Sequence, residues 1–422
     1  MPEKALEIYL DGEHIGRLVE AAGGALKFSY DSGRTPTDVP LSLSMPTTAT
    51  THQNRVVRAY LDGLLPDNDQ VRRRWAEEYG VSARNPFALL RHVGRDAAGA
   101  IQVIPPGDDV SDAAESQGDI DWLDESRLHD LLEAIARHPD DWGGMQRSGR
   151  WSLAGAQSKV ALFGEAGRWG TPRDATPTTH ILKPAISGYE GHHLNEHLCL
   201  RAAAEAGLRA ARTTLLVHDE WDIVVSERYD REKRGARWRR LHQEDLCQAL
   251  GQPPEKKYQA DGGPGIAEVG ALFSRLRGSA RASLTRDFFD ALAFNVLIGA
   301  PDAHAKNYSV MLGRRGAVSL APLYDVASIV PYYPGDPVMS AMKIGDAWET
   351  SKIGVSDWAK VGRQLGLRDD AVEERLSRLT RVLPEAFERA ATTDVPDTLR
   401  AQAAEMADAI TQHVRRVGTS FL

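Results

Sequence analysis

IGAPDAHAKNYSVMLGRRGAVSLAPLYD, residues 298–325, is the stretch on which the reading of this chain turns. Asp302 is followed five residues later by Asn307. YSVML, GRRG and AVSLA then read as strand, tight turn and strand, because alternating apolar residues flank a glycine-bounded turn. Such a hairpin folds the chain back so that Asp325 returns close to Asn307. A carboxylate and an amide oxygen converge, and the Asp302 carboxylate stays outside that pair.

A hard divalent cation such as Mg2+ takes oxygen ligands, and is usually held by one or two carboxylates together with nucleotide phosphates. Asn307 and Asp325 meet that need. Asp302 is then left to accept a hydroxyl proton and orient a nucleophile in line with a γ-phosphate. The Asp-to-Asn interval is also that of a protein-kinase catalytic loop, where the aspartate is the base and the asparagine binds metal.

That chemistry needs further parts, sought upstream. A lysine on a strand should point at the α- and β-phosphates, and THILKP supplies Lys183. The helical stretch after it offers Glu190 and Glu196 as ion-pair partners, and the sequence does not choose between them. WSLAGAQSKVALF, 151–163, reads as strand, turn and strand, with small residues that let backbone N–H groups approach phosphate. Where VVSERYD (224–230) ends the β-rich part, Glu227, Arg228 and Tyr229 fall at the place of an adenine-binding hinge.

The 422 residues allow two or three packed units, at about 100–200 residues per domain. Residues 1–50 alternate apolar and polar positions between DG and SG turns, helical spacing follows to about residue 103, and PPGDDVSDAAESQGDID (105–121) reads as a linker. We expect an N-terminal subdomain over 1–110, a linker with a helix over 111–140, a β-rich ATP-binding lobe over 141–242 and a helical lobe over 243–422. The fold class expected is α+β, a two-lobed protein-kinase-like fold with a small β-rich N-terminal subdomain and a mostly helical C-terminal lobe. A formal net charge of −8 gives no whole-chain attraction to nucleic acid or an anionic membrane. MPEKALEIYLDG reads as a strand rather than a signal peptide, and the apolar run at 291–300 is too short for the ~20 residues a bilayer span needs. Cys199 and Cys247 lie in apolar helical stretches and read as buried free thiols, which suits a cytoplasmic setting. His193 and His197 read as an exposed helix face rather than a metal pair, and the basic run ERYDREKRGARWRR (227–240) as a solvated hairpin.

Together these pieces resemble the HipA family of toxin kinases. The matching blocks are SLAGAQSK (152–159), ILKP (181–184), ERYD (227–230), LHQEDLCQALG (241–251), PPEKKY with DGGPG, DAHAKNYS (302–309) and LAPLYD (320–325), preceded by YLDG (9–12), LSLSMP (41–46) and YLDGLLPDN (60–68). The resemblance implies that Asp302 is the catalytic base, that Asn307 and Asp325 bind Mg2+, and that Lys183 holds the phosphates of ATP. It implies a phosphate loop of Ala154, Gly155, Ala156, Gln157, Ser158 and Lys159, an adenine hinge of Glu227, Arg228 and Tyr229, and further nucleotide contacts from His304, Ala305, Lys306 and Tyr324. Ser152 matches the serine such kinases autophosphorylate, and added negative charge beside that loop should repel the triphosphate and switch the enzyme off. The family's substrate is typically an aminoacyl-tRNA synthetase, and its partner is a HipB-like DNA-binding antitoxin through which any DNA contact is indirect. Two other readings compete: a catalytically silent co-repressor, which the presence of base, metal ligands and lysine disfavours, and a small-molecule kinase of the aminoglycoside-phosphotransferase type, against which the N-terminal subdomain and the AGAQSK loop argue.

Overall fold

A computed structural model of the chain describes residues 4–108, 120–137, 152–155, 157–173, 176–186, 188–217, 222–235, 237–276 and 279–421. Its contacts gather into two compact units. One comprises Met1–Pro184, Glu227–Pro254 and Met311–Ala317, the other Ala185–Ser226, Glu255–Val310 and Val318–Leu422. The lobe boundary expected after residue 242 therefore falls inside the first unit; within the expected 111–140 linker and helix, a helix forms at Glu125–Arg137, and residues 111–119 and 138–140 lie outside the described residues.

The first unit opens with an antiparallel five-stranded sheet whose order is Thr51–Gln53, Leu26–Tyr30, Glu13–Glu20, Lys4–Leu10, Ile101–Ile104. The DG pair does what its chemistry predicts: Asp11 and Gly12 both take positive φ, 49° and 80°, in the two-residue turn that pairs Leu10 with Glu13. Three helices follow, Asn54–Gly63, Asp69–Tyr79 and Pro86–Val93. Asn68 and Asn85 cap the last two by accepting hydrogen bonds from first-turn N–H groups, and Gly80 ends the second in the left-handed conformation. Tyr60, Trp75 and Phe87 are fully buried.

A second sheet in this unit sets His180–Pro184, Val160–Glu165, Arg168–Pro172 and Ile120–Trp122 side by side, all antiparallel. The strand expected over WSLAG does not form: Leu153 and Ala154 have no regular structure, and Gly155 makes only an isolated bridge to Pro66. The basic run does fold into a hairpin, Arg231–Arg234 with Arg237–Arg240. It is only half solvated. Arg228, Arg231 and Arg240 are buried, and Trp238 packs edge-on against Phe163.

The second unit contains the antiparallel strands Thr213–Val217 and Asp222–Glu227 and the helices His192–Glu205, Ile266–Ser274, Ser279–Leu297, Val355–Leu365, Asp369–Ala390 and Arg400–Gly418. Its aromatic core packs Phe289 edge-on against Trp358 and Trp358 edge-on against Phe421. The expected exposed face of His193 and His197 is instead buried, because His192–Glu205 is covered on nearly every side, and His197 Nδ1 sits 2.9 Å from Thr213 Oγ1. Burial lowers the His197 pKa to about 4, so the ring is neutral near pH 7. Cys199 and Cys247 are buried thiols that form no disulfide with each other. A hairpin of Met339–Ile344 and Ala347–Glu349 has no counterpart in the sequence reading. Among the described residues no helix is long and apolar enough to cross a membrane.

Candidate active site

The long helix Ser279–Leu297 delivers the chain to the 298–325 stretch. It ends in a Schellman turn: Gly299 is left-handed (φ 69°) and the Ala300 N–H donates to the Asn295 carbonyl at 2.9 Å. Pro301 prevents the helix from resuming. A Cβ on Gly299 would lie 2.7 Å from Val330, so packing as well as φ selects glycine there.

The loop that follows is wired through its own backbone. The Asp302 carbonyl accepts from the His304 N–H at 2.8 Å and from the Asn307 side-chain amide at 2.7 Å. A carbonyl only accepts, so it selects the NH2 end of Asn307 and leaves the amide oxygen as the donor available to a cation. Ser309–Leu312 and Val318–Leu320 are neighbouring strands, with the Ala321 N–H donating to the Ser309 carbonyl at 2.8 Å. That register returns the chain to the loop: the Tyr324 hydroxyl donates to the Lys306 carbonyl at 2.7 Å and lies 2.7 Å from Ser309 Oγ. The next residue, Asp325, holds φ at 57°, a conformation that costs a non-glycine residue energy and recurs at functional sites.

His304 reports the electrostatics of this cluster. It is buried, and burial lowers its pKa to about 4 against the opposing pull of Asp302, with Lys257 and Lys306 lowering it further and Asp325 raising it. Two carboxylates and two ammonium groups thus act on one neutral imidazole. The donor set of Asn307 and Asp325, an amide oxygen and a carboxylate, suits a hard cation and needs phosphate oxygens to complete its shell. Among the described residues no cluster of three or more His, Cys, Asp or Glu side chains forms a metal cage. Tyr258 is the residue the sequence reading passed over: its hydroxyl donates to Asp302 Oδ1, and its ring meets His304 edge-on at 4.7 Å. The only signal was its place in the PPEKKY block.

The remaining candidates belong to the first unit. Lys183 sits on the strand His180–Pro184 and is buried, not a solvated edge charge. Gln157 Nε2 donates to the Pro184 carbonyl at 3.0 Å, tying the small-residue loop to the end of that strand. Lys159 Nζ reaches back to the Ala154 carbonyl at 2.7 Å, and Gly155 (φ 106°) leaves the space: a Cβ there would lie 2.5 Å from that nitrogen. The Ser158 hydroxyl donates to the Ile135 carbonyl at 2.9 Å; Ala156 lies outside the described residues. Ser152 is 0% exposed. Its N–H donates to the Asp96 carbonyl and its hydroxyl to the Leu64 carbonyl, both at 2.8 Å, while the Asp67 N–H donates to the Gly155 carbonyl at 3.1 Å. The loop is therefore docked against the N-terminal part of its own unit.

Of the three hinge candidates, Glu227 is exposed, the Tyr229 hydroxyl lies 3.1 Å from Gln243 Oε1, and Arg228 is buried. Its guanidinium is the hub of a buried ion network. It donates to Asp230 Oδ1 (3.0 Å) and Oδ2 (2.8 Å), to Thr178 (2.8 Å) and to the Ala97 carbonyl (2.8 Å). Asp96 receives Arg231 at 2.8 Å, Arg240 at 3.0 Å, Arg228 at 3.4 Å and the Thr178 N–H and hydroxyl at 3.0 and 2.7 Å. Burial alone would raise the Asp96 pKa, but the guanidiniums of Arg231, Arg240 and Arg228 outweigh it and hold the carboxyl well below the usual range.

Residues 151–387 match the family model described as HipA-like C-terminal domain, and residues 6–104 match the one described as HipA N-terminal domain. Over 393 residues the chain is 35% identical to Y4mE of Sinorhizobium fredii, covering 92% of both. It is 30% identical over 406 residues to the serine/threonine-protein kinase toxin HipA of Shewanella oneidensis, covering 90% of this chain and 88% of that one. Among solved structures, one of a Shewanella oneidensis HipA, HipB and operator DNA complex superposes with a TM-score of 0.84 at 25% identity, over 99% of each chain.

Proposed function

The chain belongs to the HipA family of kinases, and we propose that it transfers the γ-phosphoryl group of ATP, with Mg2+, to a serine or threonine of an intracellular protein and thereby arrests growth. The observation that carries this reading is the return of Tyr324 onto the Lys306 carbonyl, which sets Asp325 beside the loop of Asp302 and Asn307. In the transfer, the acceptor oxygen bonds to the γ-phosphorus as its bond to the bridging β–γ oxygen breaks and ADP departs. Asp302 orients the acceptor hydroxyl and receives its proton. Lys183 and the backbone N–H groups of 154–159 hold the phosphates, and the Asn307 and Asp325 oxygens are the protein's donors to the cation, which would neutralise charge developing on the leaving phosphate.

The family resemblance makes an aminoacyl-tRNA synthetase the substrate class and a HipB-like antitoxin the partner, through which DNA would be met only indirectly. The neighbouring structure, a HipA with HipB and operator DNA, supports such an assembly. Autophosphorylation of Ser152 is the proposed off switch. The docked hydroxyl donates to Leu64, and a phosphate in its place loses that donor and adds about −1.5 to −2 charges, so the loop must leave. The test is phosphotransfer from γ-labelled ATP in a host lysate, with mass-spectrometric identification of the labelled protein. Asp302→Ala should abolish labelling, and Asn307→Ala and Asp325→Ala should lower it at least 100-fold; labelling that persists with Asp302→Ala overturns the reading.

A further inference from the structure

The sequence gives Tyr258 no role, yet the fold fastens it to the loop of the base at two points. The Lys257 carbonyl accepts from the Ala305 N–H at 3.2 Å, and one residue on, the Tyr258 hydroxyl donates to Asp302 Oδ1. The ring lies edge-on to the buried His304 at 4.7 Å, and the Lys257 ammonium stands 5.5 Å over its face. The Tyr258 carbonyl in turn accepts the N–H groups of Asp261 and Gly263 at 3.1 and 3.0 Å, closing the YQADGG turn. That turn needs glycine for space: a Cβ on Gly263 would lie 2.0 Å from the Lys256 carbonyl oxygen and 2.7 Å from that of Tyr258. The segment is thus folded back tightly to present one aromatic hydroxyl to one carboxylate.

Asp302 needs such a partner. Its side chain is 62% exposed, and the neutral His304 ring, with Nε2 3.7 Å away, is beyond hydrogen-bond distance. A carboxylate so exposed samples several rotamers, and a general base has to meet its proton at about 2.6–3.2 Å. We infer that Tyr258 is a positioning residue for phosphoryl transfer: its hydroxyl holds Asp302 Oδ1 and so presents Oδ2 to the incoming acceptor hydroxyl. This rests on Asp302 being the base. Its consequence is a loss confined to the chemical step, because Tyr258 is not among the residues proposed to hold the nucleotide, and misplacing a reacting group by about 1 Å can cost about 100-fold in rate.

The purified full chain, wild type, Tyr258→Phe and Asp302→Ala, is given saturating γ-32P-ATP with Mg2+ in single turnover, counting protein-bound label and released phosphate together; the Kd for ATP and the Tm are measured on the same preparations. Phenylalanine keeps the ring and its packing on His304 and removes only the hydroxyl. The expected result is a rate about 10- to 100-fold lower for Tyr258→Phe, with Kd within twofold and Tm within about 2 °C of wild type, and no turnover for Asp302→Ala. A Tyr258→Phe rate within twofold of wild type, while Asp302→Ala is dead, overturns the inference and leaves the base standing. A parallel loss of ATP affinity or Tm overturns it in favour of a structural role. Turnover by Asp302→Ala overturns the assignment of the base, and the inference with it.

Discussion

Replacing Asp96 by asparagine tests the buried network in the first unit. Asparagine keeps the size and shape of the side chain and its ability to accept hydrogen bonds, but removes one of two carboxylates facing three guanidiniums. Arg228, Arg231 and Arg240 have side chains 2%, 0% and 2% exposed, so water cannot take the place of the lost charge. Removing one partner from a buried ion cluster costs about 3–5 kcal/mol, and a unit of about 200 residues loses about 2–4 °C of Tm per kcal/mol, so Tm should fall by about 6–20 °C. The pH dependence gives a second signature. A carboxyl whose pKa is lower folded than unfolded contributes stability above its unfolded value, about 3.9, and loses it as pH falls toward the folded one. Wild type should therefore lose stability steeply below about pH 4, and Asp96→Asn should start lower and lose less over the same range. Calorimetry or thermal denaturation by circular dichroism from pH 3 to 8 reads both effects. A Tm within 2 °C of wild type at pH 7, or parallel acid limbs, would refute the reasoning.

Two further perturbations bear on the same unit. Glu244 is fully buried against the LSLSMP segment, accepting from the Leu43 N–H at 2.7 Å, and burial pushes its pKa up to about 8. It stays protonated in the folded chain while the unfolded chain ionises it above about 4.3, so stability falls as pH rises through that window, by about 1.4 kcal/mol per unit at most. Glu244→Gln, which has no such proton, should gain on wild type by a few kcal/mol between pH 5 and 8 in urea denaturation; equal differences at both pH values would discard this account. Ser152→Ala loses one hydrogen bond, about 1 kcal/mol, but cannot be phosphorylated. After preincubation with ATP it should retain phosphotransfer that wild type loses, and faster decay of the alanine variant would count against self-inactivation.

Local chemistry made the proposed catalytic stretch readable in the chain itself. A hairpin sets its own register from neighbouring residues, so Asp302, Asn307, Asp325 and the turn between them needed no distant partner to be proposed; the same holds for the DG turn at 11–12. Positions whose meaning depends on a partner far along the chain were misread or missed. Arg228 lies 132 residues from Asp96, and Arg240 lies 144 from it, so a run of arginines that looks solvated by composition becomes a buried network only when tertiary packing excludes water around it. His193 and His197 have helical spacing either way; what covers their face decided their burial. Tyr258 is 44 residues from Asp302, and neither period nor composition reports such a meeting. Periodicity and turn chemistry act through neighbouring residues, and so determined which residues could be proposed to carry the chemistry. Burial and long-range hydrogen bonds arise only after the chain has closed on itself, and they decided which charges are buried in ion networks and which side chain meets Asp302.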